Sequence, residues 1–259
     1  MNRTGLTIAL VIAVVVGVTF AVYPRLDLAI SALFYDPASN LFVANAQPWV
    51  VGARDAARWI SGLLFAPACL ALLGKLIMPR RRMLMSACAA LFLLLTMALG
   101  PGILANVILK DHWGRARPID VTAFRGTYHF TPWWDPRGDC PENCSFIAGE
   151  ASGAFWTLAP AALAPPQWRL LAYGGALAFG AAVGLLRIAG GGHFFTDVAF
   201  AGVFIFLLIW ATHGLLFRWR APRATDEAIE QHLAQAGEAM RGALASLMRR
   251  LGRQTDKPS

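Results

Sequence analysis

Residues 83–109 read MLMSACAALFLLLTMALGPGILANVIL, and KDHWGRARP follows them at residues 110–118. The first stretch carries no charged side chain and is longer than the roughly 20 apolar residues that cross a bilayer. Pro101 lies between two glycines within it, which predicts a kink or a break in a helix. The second stretch gathers charge at the end of the apolar one. The pattern therefore predicts a membrane-spanning helix with a polar cluster at its end.

The composition of the whole chain is also typical of a membrane protein. Hydrophobic residues make up 57% of the 259 residues and charged residues 15%, whereas soluble domains carry about 25% charged residues. The mean hydropathy is +0.51. The net charge of +8 is spread in short runs between apolar stretches and forms no continuous basic face. This distribution excludes nucleic acid from the expected partners.

Six stretches are long and apolar enough to be membrane spans. They are residues 6–23, 59–78, 83–109, 145–164, 170–188 and 198–217. We therefore predict an all-α integral membrane bundle of about six transmembrane helices, with residues 1–220 as one membrane domain and residues 221–259 as a basic tail. We interpret the first stretch as a retained anchor, because its apolar core is too long for a signal peptide and no clear cleavage site follows it.

The basic residues between the spans predict their orientation. In a six-span bundle, Arg3, the run at residues 80–82, Arg169 and three arginines after the last span fall on one side. The three are Arg218, Arg220 and Arg223. Because positive residues favour the cytoplasm, both termini are expected there. The loops of residues 24–58, 110–144 and 189–197 then face the periplasm of a bacterial inner membrane, and the polar clusters lie with them.

The tail is predicted to form an amphipathic C-terminal helix. Thr225 can cap its start, and apolar residues recur at helical spacing from Ile229 to Leu251. Three arginines near its end suit anionic lipid headgroups. They are Arg249, Arg250 and Arg253. A self-associating helix would show the same pattern, so the tail does not indicate a function.

The four cysteines fall into two groups. Cys69 and Cys88 lie within spans, where cysteine behaves as a small apolar residue. Cys140 and Cys144 lie in or beside the loop predicted to face the periplasm, and that oxidising compartment permits a disulfide between them. A zinc pair is the weaker interpretation, because no second ligand pair has a matching spacing.

His193 and Asp197 indicate chemistry at the start of the last span. A spacing of four places both on one face of a helix. The carboxylate can then accept a hydrogen bond from one ring nitrogen and leave the other as a nucleophile or base. The preceding Gly190-Gly191-Gly192 lets the backbone approach a ligand closely, and Arg187 can bind oxygens bidentately. A histidine that caps the helix and pairs with the aspartate for structural reasons would show the same spacing.

A second set of cations follows the span at residues 83–109. Lys110 at the end of that span is also explained by a side chain that extends to the interface. Arg115 and Arg117 lie in one short loop, on the side where positive charge is normally avoided, so they require an anionic partner. A purely structural pairing is the alternative, and its candidates are Asp111, Asp120 and Asp135.

Two spacings resemble motifs of a known family. K-x6-R-P, from Lys110 to Pro118, and R-x5-H-x3-D, from Arg187 to Asp197, resemble the first and third motifs of the type 2 phosphatidic acid phosphatase (PAP2) superfamily. That family is in turn similar to the vanadium-dependent haloperoxidases. The motifs cover residues 110–197, and the six-span topology extends the resemblance over most of the chain. It implies a membrane phosphatase that needs no metal and no cofactor.

The resemblance also implies a role for each matching residue. His193 would attack phosphorus and form a phosphohistidine, while Asp197 orients its imidazole. Lys110, Arg117 and Arg187 would hold the phosphoryl oxygens and stabilise the charge that develops. These roles agree with the residue-level argument, because phosphoryl transfer depends mainly on positioning and electrostatic stabilisation.

The second motif departs from the family pattern P-S-G-H, in whose place this chain has IAGE at residues 147–150. Gly149 can still offer its backbone N–H to a phosphate oxygen. The serine hydroxyl is missing, although Ser145 or Ser152 lies nearby along the chain. Glu150 replaces the histidine that protonates the leaving group in the family. Burial would favour the protonated acid that this role requires, whereas nearby cations favour the ionised form.

The leading hypothesis is a lipid phosphatase that acts at the outer leaflet of the membrane. Its candidate substrates are undecaprenyl diphosphate, lipid A phosphates, phosphatidate and phosphatidylglycerol phosphate. A lipid phosphotransferase is a close alternative, and a non-catalytic phospholipid-binding protein is another. The missing serine and histidine of the second motif favour the non-catalytic protein. The sequence does not determine the oligomeric state.

Overall fold

The computed structural model describes residues 3–219 and 225–255. Within them the predicted all-α fold is confirmed, and the strands present are the short pair β1 (Tyr35–Asp36) and β2 (Leu41–Phe42), which run antiparallel. The helices follow one another along the chain. They are α1 (Arg3–Val22), α2 (Arg25–Ala32), α3 (Pro48–Ile77), α4 (Ala87–Met97), α5 (Lys110–His112), α6 (Gly149–Phe155), α7 (Leu158–Ala162), α8 (Pro166–Ala189), α9 (Phe195–His213) and α10 (Asp226–Thr255).

Five of the described helical segments are long and apolar enough to span a membrane, and each contains or overlaps a predicted span. They are Arg3–Val22, Pro48–Ile77, Ala87–His112, Pro166–Ala189 and Phe195–Arg218. The second begins at Pro48, well before the predicted start at residue 59. Pro48 is the first residue of α3, a position where a backbone N–H would have no acceptor within the helix.

The fourth predicted span, residues 145–164, does not form a single continuous helix. Its residues form the short helices α6 and α7 instead. They connect Ser145, which contacts His193, to the start of α8. Most of these residues are buried, and the Trp156 indole donates to Thr96 Oγ1 at 2.9 Å. Neighbouring helices therefore surround this segment.

The kink or break predicted at Pro101 takes the form of a π-helical segment. Residues Ala98–Leu109 continue α4 in this wider helix, and α5 follows without interruption. The Pro101 carbonyl accepts a hydrogen bond from Asn106 Nδ2 at 2.6 Å. The wider turn thus accommodates a residue that has no N–H to donate, and the helix reaches Lys110 intact.

Contacts divide the chain into two units. Unit 1 comprises Met1–Leu64 and Leu95–His213, and unit 2 comprises Phe65–Leu94 and Gly214–Ser259. The boundary predicted at residue 220 lies outside the described residues, and so do Arg220 and Arg223, which were predicted to be cytoplasmic. That boundary stays a prediction.

The predicted tail helix is present in unit 2 as α10. Thr225 Oγ1 accepts from the Ala228 N–H at 3.2 Å, which is the expected cap. Glu230 pairs with Lys75 at 2.8 Å, and Asp226 accepts from the Cys88 N–H at 2.7 Å. Polar contacts therefore fix the first turns of α10 within its unit. The side chains of the three arginines near its end lie outside the described part.

Candidate active site

The ends of several helices of unit 1 meet around His193. Lys110 lies at the start of α5, Arg187 near the end of α8, and Arg117 in the loop after α5. All three cations are close enough to His193 to act on it electrostatically. The residues of the first and third sequence motifs are therefore brought together as predicted from their order along the chain.

His193 is a buried imidazole with a defined hydrogen bond. It is 2% exposed, and its Nδ1 lies 2.7 Å from the main-chain carbonyl of Ser145. Since a carbonyl can only accept, Nδ1 carries the proton and Nε2 keeps its lone pair. Burial lowers the pKa of His193 well below its usual range, and the charges of Arg187, Arg117 and Lys110 lower it further. The ring is thus held neutral, as a nucleophile requires.

Asp197 does not form the hydrogen bond to His193 that the spacing predicted. The distance from His193 Nδ1 to Asp197 Oδ2 is 3.9 Å, beyond hydrogen-bond range. Asp197 Oδ2 instead accepts from Ser145 Oγ at 2.5 Å and from the Phe194 N–H at 2.8 Å, and Oδ1 accepts from Arg115. The carboxylate is engaged by stronger or nearer donors, so it acts on His193 through Ser145 and through space.

Arg115 is the central residue that the sequence interpretation left without a site role. It is fully buried and donates to Thr131 O at 2.9 Å, Thr196 Oγ1 at 2.8 Å, Asp27 Oδ2 at 2.8 Å and Asp197. Asp27 also accepts from the Thr196 N–H at 3.1 Å and its hydroxyl at 2.6 Å. One guanidinium thus joins two buried carboxylates behind His193.

None of the partners proposed for Arg115 from sequence proximity is the one found. Asp135, for example, pairs with Arg137. Asp27 and Asp197 are 88 and 82 residues away from Arg115 along the chain. The available signal for Asp27 was a lone carboxylate in the apolar run LDLAISALF, which a buried ion pair explains.

Arg187 is buried without a full set of partners. Its exposed fraction is 8%, and its Nε has no hydrogen-bond partner among the described residues. Its Nη1 lies 3.9 Å from Glu150 Oε1, within ion-pair range but too far for a hydrogen bond. A Cβ at Gly192 would overlap the Arg187 guanidinium, so the glycine run that was predicted to approach a ligand makes room for this arginine. An unsatisfied buried guanidinium favours an anion at this place.

Gly149 packs against Lys110. A Cβ at this position would stand 2.7 Å from Asn106 Oδ1 and 3.2 Å from Lys110 Nζ. The glycine therefore lets the side chains of Asn106 and Lys110 lie close to the start of α6. The proposed hydrogen bond from the Gly149 N–H to a phosphate oxygen stays a prediction.

Arg117 is held by the loop that carries Cys140 and Cys144. Its guanidinium donates to the Asn143 carbonyl at 2.8 and 3.2 Å and to the Asn143 side-chain oxygen at 2.8 Å. Cys140 and Cys144, on either side of Asn143, form the disulfide that the sequence allowed. The disulfide thus encloses the residue that orients Arg117.

Glu150 forms an ion pair that the sequence interpretation did not foresee. Its two carboxylate oxygens accept from Arg54 Nε at 2.8 Å and Arg54 Nη2 at 2.5 Å. A bidentate guanidinium stabilises the ionised carboxylate, whereas a proton donor must be protonated. The geometry therefore does not fit Glu150 as the general acid. Arg54 of α3 therefore lies beside the motif residues.

Of the two serines near the second motif, Ser145 lies next to His193. Ser145 Oγ donates to Asp197 and also lies 3.4 Å from His193 Nδ1. Ser152, the other candidate, bonds back to the Ala148 carbonyl at 2.9 Å within its own helix. Within residues 3–219 and 225–255, His, Cys, Asp and Glu form no group of three or more that could hold a metal ion.

Comparison with known proteins agrees with this arrangement. Residues 89–221 match the PAP2 superfamily. A lipid A 4′-phosphatase of Francisella tularensis subsp. novicida is 32% identical over 219 residues, which are 84% of this chain and 98% of that protein. A lipid A 4′-phosphatase of Rhizobium leguminosarum is 37% identical over 103 residues, 40% of this chain and 44% of that protein. No solved structure matches the chain significantly.

An all-α membrane bundle with this site and these relatives is an integral membrane lipid phosphatase, of the kind found as a multi-pass protein in the bacterial inner membrane. The chain belongs to the PAP2 superfamily. The resemblance seen in its two motifs is thereby confirmed, and a membrane-embedded lipid is its substrate class.

Proposed function

We propose that this protein removes a phosphate group from a lipid A-type glycolipid at the non-cytoplasmic face of the membrane. The observation that carries the proposal is the neutral, buried His193 at the meeting point of Lys110, Arg117 and Arg187. The choice of lipid A over the other lipid phosphates is supported by the Francisella relative, 98% of which aligns with this chain.

The proposed reaction proceeds in two displacements. His193 Nε2 gives its lone pair to phosphorus while the bond from phosphorus to the lipid oxygen breaks, and that oxygen takes up a proton to leave as an alcohol. Water then attacks the phosphohistidine, gives up a proton, and releases inorganic phosphate with the histidine restored. Lys110, Arg117 and Arg187 supply the positive charge that a metal ion provides in other phosphatases, so the reaction is proposed to be metal-independent.

The proposed orientation rests on charge and on the disulfide. Arg169 lies in the first turn of α8, at the end of that helix away from Arg187 and His193. Positive residues favour the cytoplasm. The disulfide of Cys140 and Cys144 lies in the loop on the His193 side and suits an oxidising compartment. Both features support a site that faces the periplasm, with both termini cytoplasmic.

The test is phosphate release by the purified protein in detergent micelles. We expect lipid A to be hydrolysed at least about tenfold faster than phosphatidate, phosphatidylglycerol phosphate and undecaprenyl diphosphate. Mass spectrometry should locate the lost phosphate at the 4′ position, and EDTA should leave the rate unchanged. Release that does not exceed the His193→Ala background with any of these lipids would favour the phospholipid-binding alternative. Transfer of the phosphate to a second lipid would indicate a phosphotransferase.

The acid limb of the pH profile should report the unusual pKa of His193. Because that pKa is lowered well below 6.5, the neutral nucleophile persists into acid, and kcat/KM should fall only well below pH 6.5. Arg117→Gln removes one of the responsible cations, so it should raise this pKa and move the limb to higher pH. The wild type and Arg117→Gln are compared on the same substrate, so that the ionisation of the substrate affects both pH profiles equally. A limb that does not move, or moves to lower pH, would contradict the assignment.

A further inference from the structure

The contact between Arg54 and Glu150 brings a fixed negative charge to the edge of a site built for an anion. Glu150 is the second residue of α6, next to the Gly149 that lies against Lys110. Its Oε1 is 2.5 Å from Arg54 Nη2 and 3.9 Å from Arg187 Nη1. One carboxylate therefore stands between an arginine of α3 and an arginine proposed to bind phosphate.

Without Arg54, the Glu150 carboxylate would compete with the substrate. Arg187 is buried, with an unpartnered Nε, and such a cation attracts the nearest available anion. Glu150 is the carboxylate within ion-pair range of it in the described chain. If Glu150 turned fully toward Arg187, it would occupy donors that a phosphate requires and would repel the dianion.

A cavity lies beside the pair. Its volume is about 360 Å³, and Arg54, Glu150, Lys110 and Asn106 contribute to its lining. Arg54 and Glu150 are both partly exposed, at 22% and 24% of their side chains. The carboxylate thus borders an open space shared with Lys110 and has room to change partner.

We propose that Arg54 is a positioning residue that holds the Glu150 carboxylate away from Arg187, so that the Arg54–Glu150 pair sets the affinity of the site for phosphate. Glu150 then acts as a restrained counter-ion and not as a proton donor. The inference rests on the proposed function, because it takes Arg187 as a ligand of the substrate phosphate.

The test compares Arg54→Ala, Glu150→Gln and the double variant in the full-length protein. For Arg54→Ala, we expect the inhibition constant of inorganic phosphate and the KM to rise about tenfold, since a freed carboxylate now faces Arg187. Adding Glu150→Gln removes that charge and should return the inhibition constant to within about threefold of wild type. Glu150→Gln alone should bind phosphate as tightly as wild type or more tightly.

A second readout separates this role from proton donation. A general acid matters most when the leaving group is poor, so loss of an acid would slow lipid hydrolysis while sparing p-nitrophenyl phosphate. A positioning pair affects both substrates by the same factor. The inference is overturned if the double variant binds phosphate no better than Arg54→Ala, or if Glu150→Gln loses activity toward the lipid alone.

The chain offers a matched control in a second arginine–carboxylate pair. Arg137 contacts Asp135 at 2.9 Å in a loop, with the arginine side chain 81% exposed. Arg137→Ala should leave the inhibition constant unchanged. Calorimetric binding of inorganic phosphate measures the same affinities without turnover. An inactive protein with the predicted pattern of affinities would therefore refute the proposed function and leave this inference standing.

Discussion

Replacing His193 with alanine is expected to lower kcat by at least about a thousandfold, because the variant loses the atom proposed to form the bond to phosphorus. The fold should survive, since the strongest polar contacts behind the ring belong to Arg115, Asp27 and Asp197 and do not involve His193. Phosphate release from the lipid measures the loss. Added imidazole should restore part of the activity, because the cavity left by the side chain can admit the free ring.

Two comparisons make this result specific. His129, an exposed histidine that contacts Asp139 at 3.0 Å, provides the matched control, and His129→Ala should retain wild-type kcat. In the wild type, rapid quenching with labelled substrate should trap phosphate on His193 under alkaline conditions. If no labelled protein forms while turnover continues, water attacks the substrate directly, and His193 would then serve as a phosphate ligand or a base.

Replacing Arg115 with methionine is expected to destabilise the protein by about 3–5 kcal/mol, as removal of one partner from a buried ion pair does. Asp27 and Asp197 are 1% and 0% exposed, and the variant would leave both without a cationic partner. The methionine fills much of the volume of the arginine side chain, so the loss of stability reflects lost charge and hydrogen bonds rather than a cavity. Unfolding in detergent, followed by tryptophan fluorescence, provides the measurement.

Further variants separate charge from geometry in this network. Arg115→Lys keeps the charge but cannot donate hydrogen bonds to the acceptors on both sides. Its stability should therefore fall between those of the wild type and Arg115→Met. Adding Asp27→Asn to Arg115→Met removes one stranded carboxylate and should recover part of the loss. Arg137→Met, at an exposed arginine of the same unit, should show no measurable change. A stability of Arg115→Met within about 1 kcal/mol of wild type would mean that the network contributes little.

The helical spans could be predicted because their signal is local. A stretch of about 20 apolar residues has few alternatives to a membrane helix, and five of the six predicted spans are matched by described helices. Residues 145–164 instead form two short helices, and hydropathy alone does not reveal such a break. Trp156, bonded to Thr96, shows that neighbouring helices surround that segment.

The motif residues could also be predicted, but their partners could not. The order of the spans predicted that Lys110, Arg117, Arg187 and His193 would meet, because each lies at the end of a long helix or in a loop next to one. Contacts between residues distant in sequence leave no such pattern. The pairing of Arg54 with Glu150 joins residues 96 positions apart, and the sequence interpretation did not foresee it.

The sequence by itself determined the class of fold and the family, since apolar length and short motifs are written along the chain, and its motifs predicted which cations would meet around His193. Only the tertiary structure decided which charges neutralise one another. Buried ions need partners in space, and those partners come from whichever helices the fold brings near. Hence Arg115 bridges Asp27 and Asp197, the Ser145 carbonyl accepts from His193, and Arg54 pairs with Glu150.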